Sequence, residues 1–259
     1  MRVAMTIPKL RAPIVLVHGL LGFDRLQVGG ATFATYFRGI PDFMQAAGNR
    51  VLTPALMPTG GVPERAKQLK DFVNAQSPAE PVHIIAHSLG GLDARYMISC
   101  LDMADRVLSL TTLGTPHRGT SFADWGVGRL ERLLKPILET IGLPHQAFYD
   151  LTRANSKTFN ETVVDAPNVV YFSVAGRHDG NLLDPRWLLP YNIVLNTEGE
   201  NDGVVAVESA RYGKVLDIWE GDHLSLVNWL NPVANYRGTW RDPMPRYGAL
   251  LQRLADFGY

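Results

Sequence analysis

Several short runs of this chain are apolar on both faces, and that property narrows the fold more than any other. Pro13-Ile14-Val15-Leu16-Val17-His18, Val82–His87, Val107–Leu113, Val169–Ala175 and Val215–Trp219 are of this kind, with Arg50–Thr53 a weaker member. A strand exposed on one side alternates apolar and polar residues. One that is apolar throughout must be covered on both sides. Helical patterns fall between the runs. Pro63–Ala75 places Ala66, Leu69, Phe72 and Val73 at spacings of three and four, and Gly91–Cys100, Leu224–Leu230 and Tyr247–Phe257 follow. Strand–helix alternation without an internal repeat predicts one α/β domain over residues 1–259, with a mostly parallel central sheet and helices on both faces. Residues 121–167 break the rhythm. They read as a lid-like or cap-like insertion over the sheet.

Composition removes other classes. Lys plus Arg is 25 and Asp plus Glu is 25 in 259 residues, so no electrostatic footprint for nucleic acid or an anionic membrane surface exists. The single cysteine, Cys100, cannot form an internal disulfide or a cysteine-based zinc site. Met1–Pro8 lacks the apolar stretch of a signal peptide, and the apolar run Ile14–Leu21 is too short to span a bilayer. The expectation is no integral membrane segment, and a cytoplasmic protein or one secreted by a leaderless route. Oligomeric state is not readable.

The chemistry concentrates after the strands. Ala86-His87-Ser88-Leu89-Gly90-Gly91 ends a buried strand and opens a helix, the context of a nucleophile elbow. Such a turn strains the serine backbone and requires small residues two before and two after, here Ala86 and Gly90. His18-Gly19-Leu20-Leu21-Gly22 follows the first strand. A serine nucleophile needs backbone N–H donors for the developing oxyanion, and Leu89 and Leu20 are the candidates. A base must follow the serine. Of His117, His145, His178 and His223, only His223 stands just after the last strand, at the carboxyl edge of the sheet. His18 and His87 are expected to line the site without titrating. The acid stays open among Asp202, Asp179 and Asp184, with Glu198 and Glu200 as outsiders. It would hold the imidazole tautomer. His83 and His87 are four apart, but on a strand rather than a helix, so a metal pair is disfavoured.

Residues 13–24, from Pro13 through His18-Gly19-Leu20-Leu21-Gly22-Phe23-Asp24, resemble the oxyanion strand of bacterial triacylglycerol lipases of the Pseudomonas, Burkholderia and Proteus type. His87-Ser88-Leu89-Gly90-Gly91 is similar to their elbow. Leu113-Gly114-Thr115-Pro116-His117-Arg118-Gly119-Thr120 is similar to the segment leading into their lid. Asn201-Asp202-Gly203-Val204-Val205 and Asp222–Asn228 resemble their acid and histidine loops. The matches run in family order from residue 13 to residue 228. The resemblance implies an α/β-hydrolase fold, hydrolysis of carboxylic esters of acyl lipids, and Asp202 as the acid. Three departures stand out. Ala86 replaces an elbow glycine. Ser225 and Trp229 occupy the positions of an aspartate and a glutamine that bind calcium in the family, so no metal and no cofactor are expected. The disulfide of larger relatives is missing, which marks a short, disulfide-free branch.

Within the insertion, Leu130, Leu133, Leu134, Ile137, Leu138 and Ile141 make one apolar face, opposite Arg129, Glu131, Arg132, Lys135 and Glu139, and Pro136 should kink the segment. A lipase lid and an ordinary packed cap helix both fit. Phe122, Trp125, Phe148 and Trp187 are candidates for an acyl pocket or for core. The resulting expectation is a serine ester hydrolase with an acyl-enzyme on Ser88, Asp202 and His223 as partners, and Leu20 and Leu89 as oxyanion donors. Its substrate would be an acyl ester met at a lipid–water interface. A thioesterase, a polyester depolymerase, a short-chain esterase and a non-catalytic binding protein of the same fold are the alternatives.

Overall fold

The structure is a computed structural model that describes residues 7–20, 25–28, 31–133, 146–178 and 185–259. The strands are β1 (Ile14–Val17), β2 (Arg25–Val28), β3 (Ala31–Thr35), β4 (Val51–Leu52), β5 (Val82–His87), β6 (Val107–Leu113), β7 (Val170–Arg177) and β8 (Lys214–Glu220). The helices are α1 (Ile40–Ala46), α2 (Val62–Gln76), α3 (Leu89–Cys100), α4 (Ser121–Leu133), α5 (Gln146–Asp150), α6 (Arg153–Thr162), α7 (Pro185–Glu198), α8 (Val207–Ala210), α9 (Pro232–Tyr236) and α10 (Met244–Asp256). Six strands form one parallel sheet in the order β4-β1-β5-β6-β7-β8, and β2 and β3 pair as a separate antiparallel hairpin.

The doubly apolar runs are explained by two cores. Ile14, Leu16, Ile85, Phe172 and Trp219 face α1 and α10, against Ile40, Met44, Leu250, Leu251 and Leu254. Their strand neighbours Val15, Val17, Ile84 and Ala86 face the other way, against Ala66, Leu69 and Val73 of α2 and Ala94, Met97 and Ile98 of α3. Successive side chains of a strand alternate faces, so a sheet covered on both sides needs apolar residues at every position. Each fully buried Leu or Ile contributes roughly 1.5–3 kcal/mol. The parallel arrangement brings the carboxyl ends of β1, β5, β6, β7 and β8 to one edge. The loops that carry the candidate site all leave from that edge.

One expectation changes, and one helix forms where none was expected. Leu224–Leu230 is not a helix: a single 3₁₀ turn, Ser225–Val227, ends at Asn228 with φ 66°. The Asp222 carboxylate accepts the N–H groups of Leu224 and Ser225, which replaces helical bonding at the start of the segment. Helix α7 forms although Pro190 lies inside it. Between β6 and β7 the described residues form α4, α5 and α6, and none of them joins the sheet. The apolar face expected over residues 130–141 lies largely outside the described residues: Leu134, Lys135, Pro136, Ile137, Leu138, Glu139 and Ile141 fall there. Among the described residues no helix is long and apolar enough to cross a membrane.

Candidate active site

Ser88 joins β5 to α3 with φ 56° and ψ −131°, a conformation that costs on the order of 1–3 kcal/mol for a residue with a side chain. The surroundings hold it there. Its N–H donates to Leu113 O at 2.9 Å, and its carbonyl accepts from Thr115 Oγ1 at 2.8 Å and from Gly91 N at 3.1 Å. The turn needs small flanks, as expected. A Cβ on Gly90 would lie 2.7 Å from His18 O and 2.8 Å from Val17 O, both backbone atoms that cannot swing away.

The loop after β1 lies directly against the serine. A Cβ on Gly19 would sit 2.7 Å from Ser88 Cβ, so only glycine permits this approach. His18 fixes the next peptide. Its Nε2 accepts the Leu56 N–H at 3.0 Å, which places the ring proton on Nδ1, and Nδ1 donates to Gly19 O at 2.9 Å. A trans peptide points its N–H opposite its carbonyl, so anchoring Gly19 O also aims the Leu20 N–H. Burial lowers the His18 pKa to about 4 and keeps the ring neutral. Leu89 is the first residue of α3, and its N–H is among those a helix start leaves unsatisfied.

Beneath this loop lies a buried ion pair that the sequence reading missed. Arg65 Nε donates to Asp93 Oδ2 at 2.8 Å, and Arg65 Nη2 donates to His18 O at 2.8 Å. Both side chains are fully buried. Desolvation pushes the Asp93 carboxyl up to about 7, with the Arg65 charge pulling the other way. Arg65 stands between Glu64 and Ala66, and no local pattern marks it as buried.

On the opposite side, His223 Nδ1 donates to Asp202 Oδ2 at 2.7 Å. Asp202 Oδ1 accepts the N–H groups of Val204 at 3.1 Å and Val205 at 2.9 Å, and Asp202 O accepts the His223 N–H at 2.7 Å. The carboxylate is buried but well solvated by donors. With Nδ1 committed as donor, the neutral imidazole keeps its lone pair on Nε2, the form a general base requires. The rivals stand elsewhere or are not described. Glu198 accepts the Ser121 N–H, and Glu200 pairs with Arg177 at 3.5 Å. Asp179 and Asp184 lie outside the described residues, as do His145 and the Leu21, Gly22, Phe23 and Asp24 part of the first motif.

The remaining histidines have structural partners. His117 contacts Thr112 Oγ1 at 3.0 Å and stacks on Tyr212. His178 is buried against the edge of Tyr191. His83 bonds Ser109 Oγ at 2.8 Å, and four steps along the strand place it about 13 Å from His87, too far to share a metal. His87 is fully buried beside Ser88. Tyr36 Oη lies 2.7 Å from its Nδ1 and His223 O lies 2.9 Å from its Nε2.

The histidine loop is tied down by residues that sequence reasoning also missed. Besides the two N–H groups at its Oδ1, Asp222 accepts Asn231 Nδ2 at 2.7 Å, and Asn231 Oδ1 caps α9 through Val233 N and Ala234 N. Trp229 Nε1 donates to Tyr36 O at 2.8 Å, and Ser225 N–H donates to Asp222 Oδ1 at 2.9 Å. The tryptophan that stands where the resemblance expects a glutamine thus stitches the histidine loop to residue 36.

A family model described as a PGAP1-like alpha/beta domain matches residues 62–227. A triacylglycerol lipase of Pseudarthrobacter phenanthrenivorans is 38% identical, over 97% of this chain and 98% of that protein. Triacylglycerol lipase 2 of Saccharomyces cerevisiae is 31% identical, over 86% of this chain and 82% of that protein. Among solved structures, a Bacillus licheniformis lipase in its mature form superposes with a TM-score of 0.70 at 24% identity, covering 95% of this chain and 96% of that one.

Proposed function

The chain belongs to the triacylglycerol lipase family of α/β-hydrolases and is a carboxylic ester hydrolase, and from that premise we propose that Ser88, His223 and Asp202 are its catalytic triad. The observation that carries this is the 2.7 Å bond from His223 Nδ1 to Asp202 Oδ2, which fixes the base in its reactive tautomer. Ser88 Oγ attacks the ester carbonyl carbon while His223 Nε2 takes the hydroxyl proton. The N–H groups of Leu20 and Leu89 hold the oxyanion of the tetrahedral intermediate. That intermediate collapses, the alkoxide leaves as an alcohol with the proton from His223, and an acyl group remains on Ser88. Water, deprotonated by His223, then attacks the acyl-enzyme and releases the acid. Asp202 stays ionised throughout and stabilises the imidazolium.

The substrate is an acylglycerol or a similar long-chain ester, in keeping with relatives named triacylglycerol lipases. Residues 121–167 act as a lid over the acyl site, within a single domain. Support comes from α4, where Phe122 and Trp125 stack at 5.9 Å and the Arg129 guanidinium covers Trp125 at 4.2 Å. The neighbouring α7 exposes Leu188 and Leu189 by about half. The test is a Ser88→Ala variant beside the wild type on p-nitrophenyl esters from acetate to palmitate, with and without an emulsified interface. Loss of nearly all turnover, and a wild-type preference for long chains that grows at the interface, are expected. Wild-type turnover in Ser88→Ala contradicts the triad, and acetate preference contradicts the substrate class.

A further inference from the structure

We propose that Tyr36 and His87 form a positioning relay that locks the oxyanion loop and the histidine loop into one register. The inference rests on the triad reading above and adds two residues to it that never touch the reacting atoms.

The hydrogen bonds admit one direction only. A backbone carbonyl cannot donate, so at 2.9 Å from His223 O the His87 Nε2 carries the ring proton and donates it. The neutral ring then presents a lone pair at Nδ1, and the Tyr36 hydroxyl at 2.7 Å must be the donor to it. The phenol oxygen in turn lies against Gly19, where an added Cβ would come within 2.9 Å of it. The chain runs from Gly19, packed on the Tyr36 hydroxyl, through Tyr36 O–H to His87 Nδ1, and from His87 Nε2–H to the His223 carbonyl. One end is the residue whose carbonyl aims the Leu20 N–H. The other end is the backbone of the proposed base.

Everything around the relay is fixed. Tyr36 and His87 are buried, and the His87 ring sits 4.4 Å from the His223 ring, centroid to centroid. Burial and the neighbouring imidazole hold the His87 pKa well below its usual value. Burial pushes the Tyr36 phenol up. Neither group therefore ionises while His223 cycles between neutral and charged. With both ring nitrogens committed, His87 cannot compete with His223 for the Ser88 proton. It serves as a spacer whose two bonds set the distance between donor loop and base. The backbone of the same segment reinforces it, through Trp229 Nε1 to Tyr36 O and Arg38 N–H to Val227 O at 3.1 Å.

A relay of this kind matters when charge develops, because the oxyanion donors and the imidazole must then be aligned together. Its loss should lower kcat and leave KM nearly unchanged. The test compares wild type, Tyr36→Phe, His87→Leu and His87→Gln on p-nitrophenyl butyrate, with Tm measured for each. Tyr36→Phe removes one hydrogen bond without changing shape, and a kcat loss of about tenfold with KM within twofold is expected. His87→Leu should lose more. His87→Gln offers an amide N–H near the position of Nε2 and should recover most of the loss relative to leucine. Folded Tyr36→Phe with kcat within twofold of wild type overturns the relay. So does a loss confined to KM, or a glutamine variant no better than leucine. Should the leucine variant fail to fold, Tyr36→Phe and His87→Gln against wild type decide by the same criteria. Ser88→Ala, run alongside, separates the two levels: activity there sinks the triad itself, whereas an inactive Ser88→Ala beside a fully active Tyr36→Phe sinks only the relay.

Discussion

The floor of the site and the outer face of the insertion are held by opposite means. On the floor, Arg65, Asp93, His87, Asp202, Asp222 and Asn231 are buried, and each bonds to backbone or to another buried side chain. In the insertion, Arg153 pairs with Asp124 at 2.5 Å where both are substantially exposed, and α6 turns a polar face to solvent. A buried polar network is costly to break and tolerates little displacement. An exposed pair is screened and replaceable. The floor is therefore built for reproducible geometry. The insertion has a buried footing, where Ala147 and Leu151 pack against Leu89 and Leu92, and an outer face of exposed pairs that can change without disturbing that geometry, which suits a segment that selects substrates rather than performing chemistry.

The largest expected effect lies on the floor. Asp202→Asn keeps the shape but reverses the bonding preference at His223 Nδ1, so kcat at neutral pH should fall by about 10⁴ with little change in Tm. Steady-state kinetics with a melting curve check both halves of that statement. Next comes Arg65→Met. It removes the cation that bonds His18 O and leaves Asp93 without its partner, and should cost about 3–5 kcal/mol in urea unfolding. The companion Arg65→Met/Asp93→Leu should recover much of that stability, since the cost lies in the orphaned carboxylate.

Acid provides the third contrast. His18 and His83 are buried with folded pKa values of about 4 against 6.5 when unfolded. Between those values the unfolded chain binds more protons, so their contribution is complete above pH 6.5 and is lost as pH falls toward 4. Each histidine accounts for up to about 3 kcal/mol over that window. Urea midpoints from pH 7 to 4.5 should fall steadily, and His83→Gln should flatten the slope. Among the described residues of the insertion there is no histidine, so its local unfolding, followed by limited proteolysis, should change little over the same range. The smallest effect belongs to Asp124→Ala. The exposed pair with Arg153 should be worth no more than about 1 kcal/mol, and its Tm should drop by only a few degrees.

Much of this division is readable in the chain itself. The inner strands β1, β5, β6 and β7 are legible because each is buried on both faces, whereas the edge strands β4 and β8 give weaker signals, β4 with two residues and β8 with Lys214, Asp217 and Glu220 among its seven. Ser88 and His223 each sit in a recognisable turn after a strand, and Asp202 sits in a polar turn between α7 and α8. The pairing of Asp202 with His223 over the rival acids Glu198 and Glu200 needs the structure. What is not legible is the support. Tyr36 meets His87 across 51 residues and Arg65 meets Asp93 across 28, and no local pattern marks either partner. The Leu224–Leu230 segment looks helical by spacing, yet the Asp222 side chain captures its first N–H groups and Asn228 turns left-handed. Helix α7 is hidden by Pro190, which reads as a stop. Side-chain competition for backbone donors is what periodicity does not see.

The central claim is that Ser88 is a nucleophile activated by His223 in the tautomer fixed by Asp202. The most direct measurement is labelling with a fluorophosphonate probe, followed by mass spectrometry of the digested protein, for wild type, His223→Ala and Asp202→Asn. Expected is a single adduct on Ser88 in the wild type, with labelling slowed by at least about a thousandfold in both variants. An adduct on another residue, or labelling of Ser88 at the wild-type rate in the absence of His223, would contradict it.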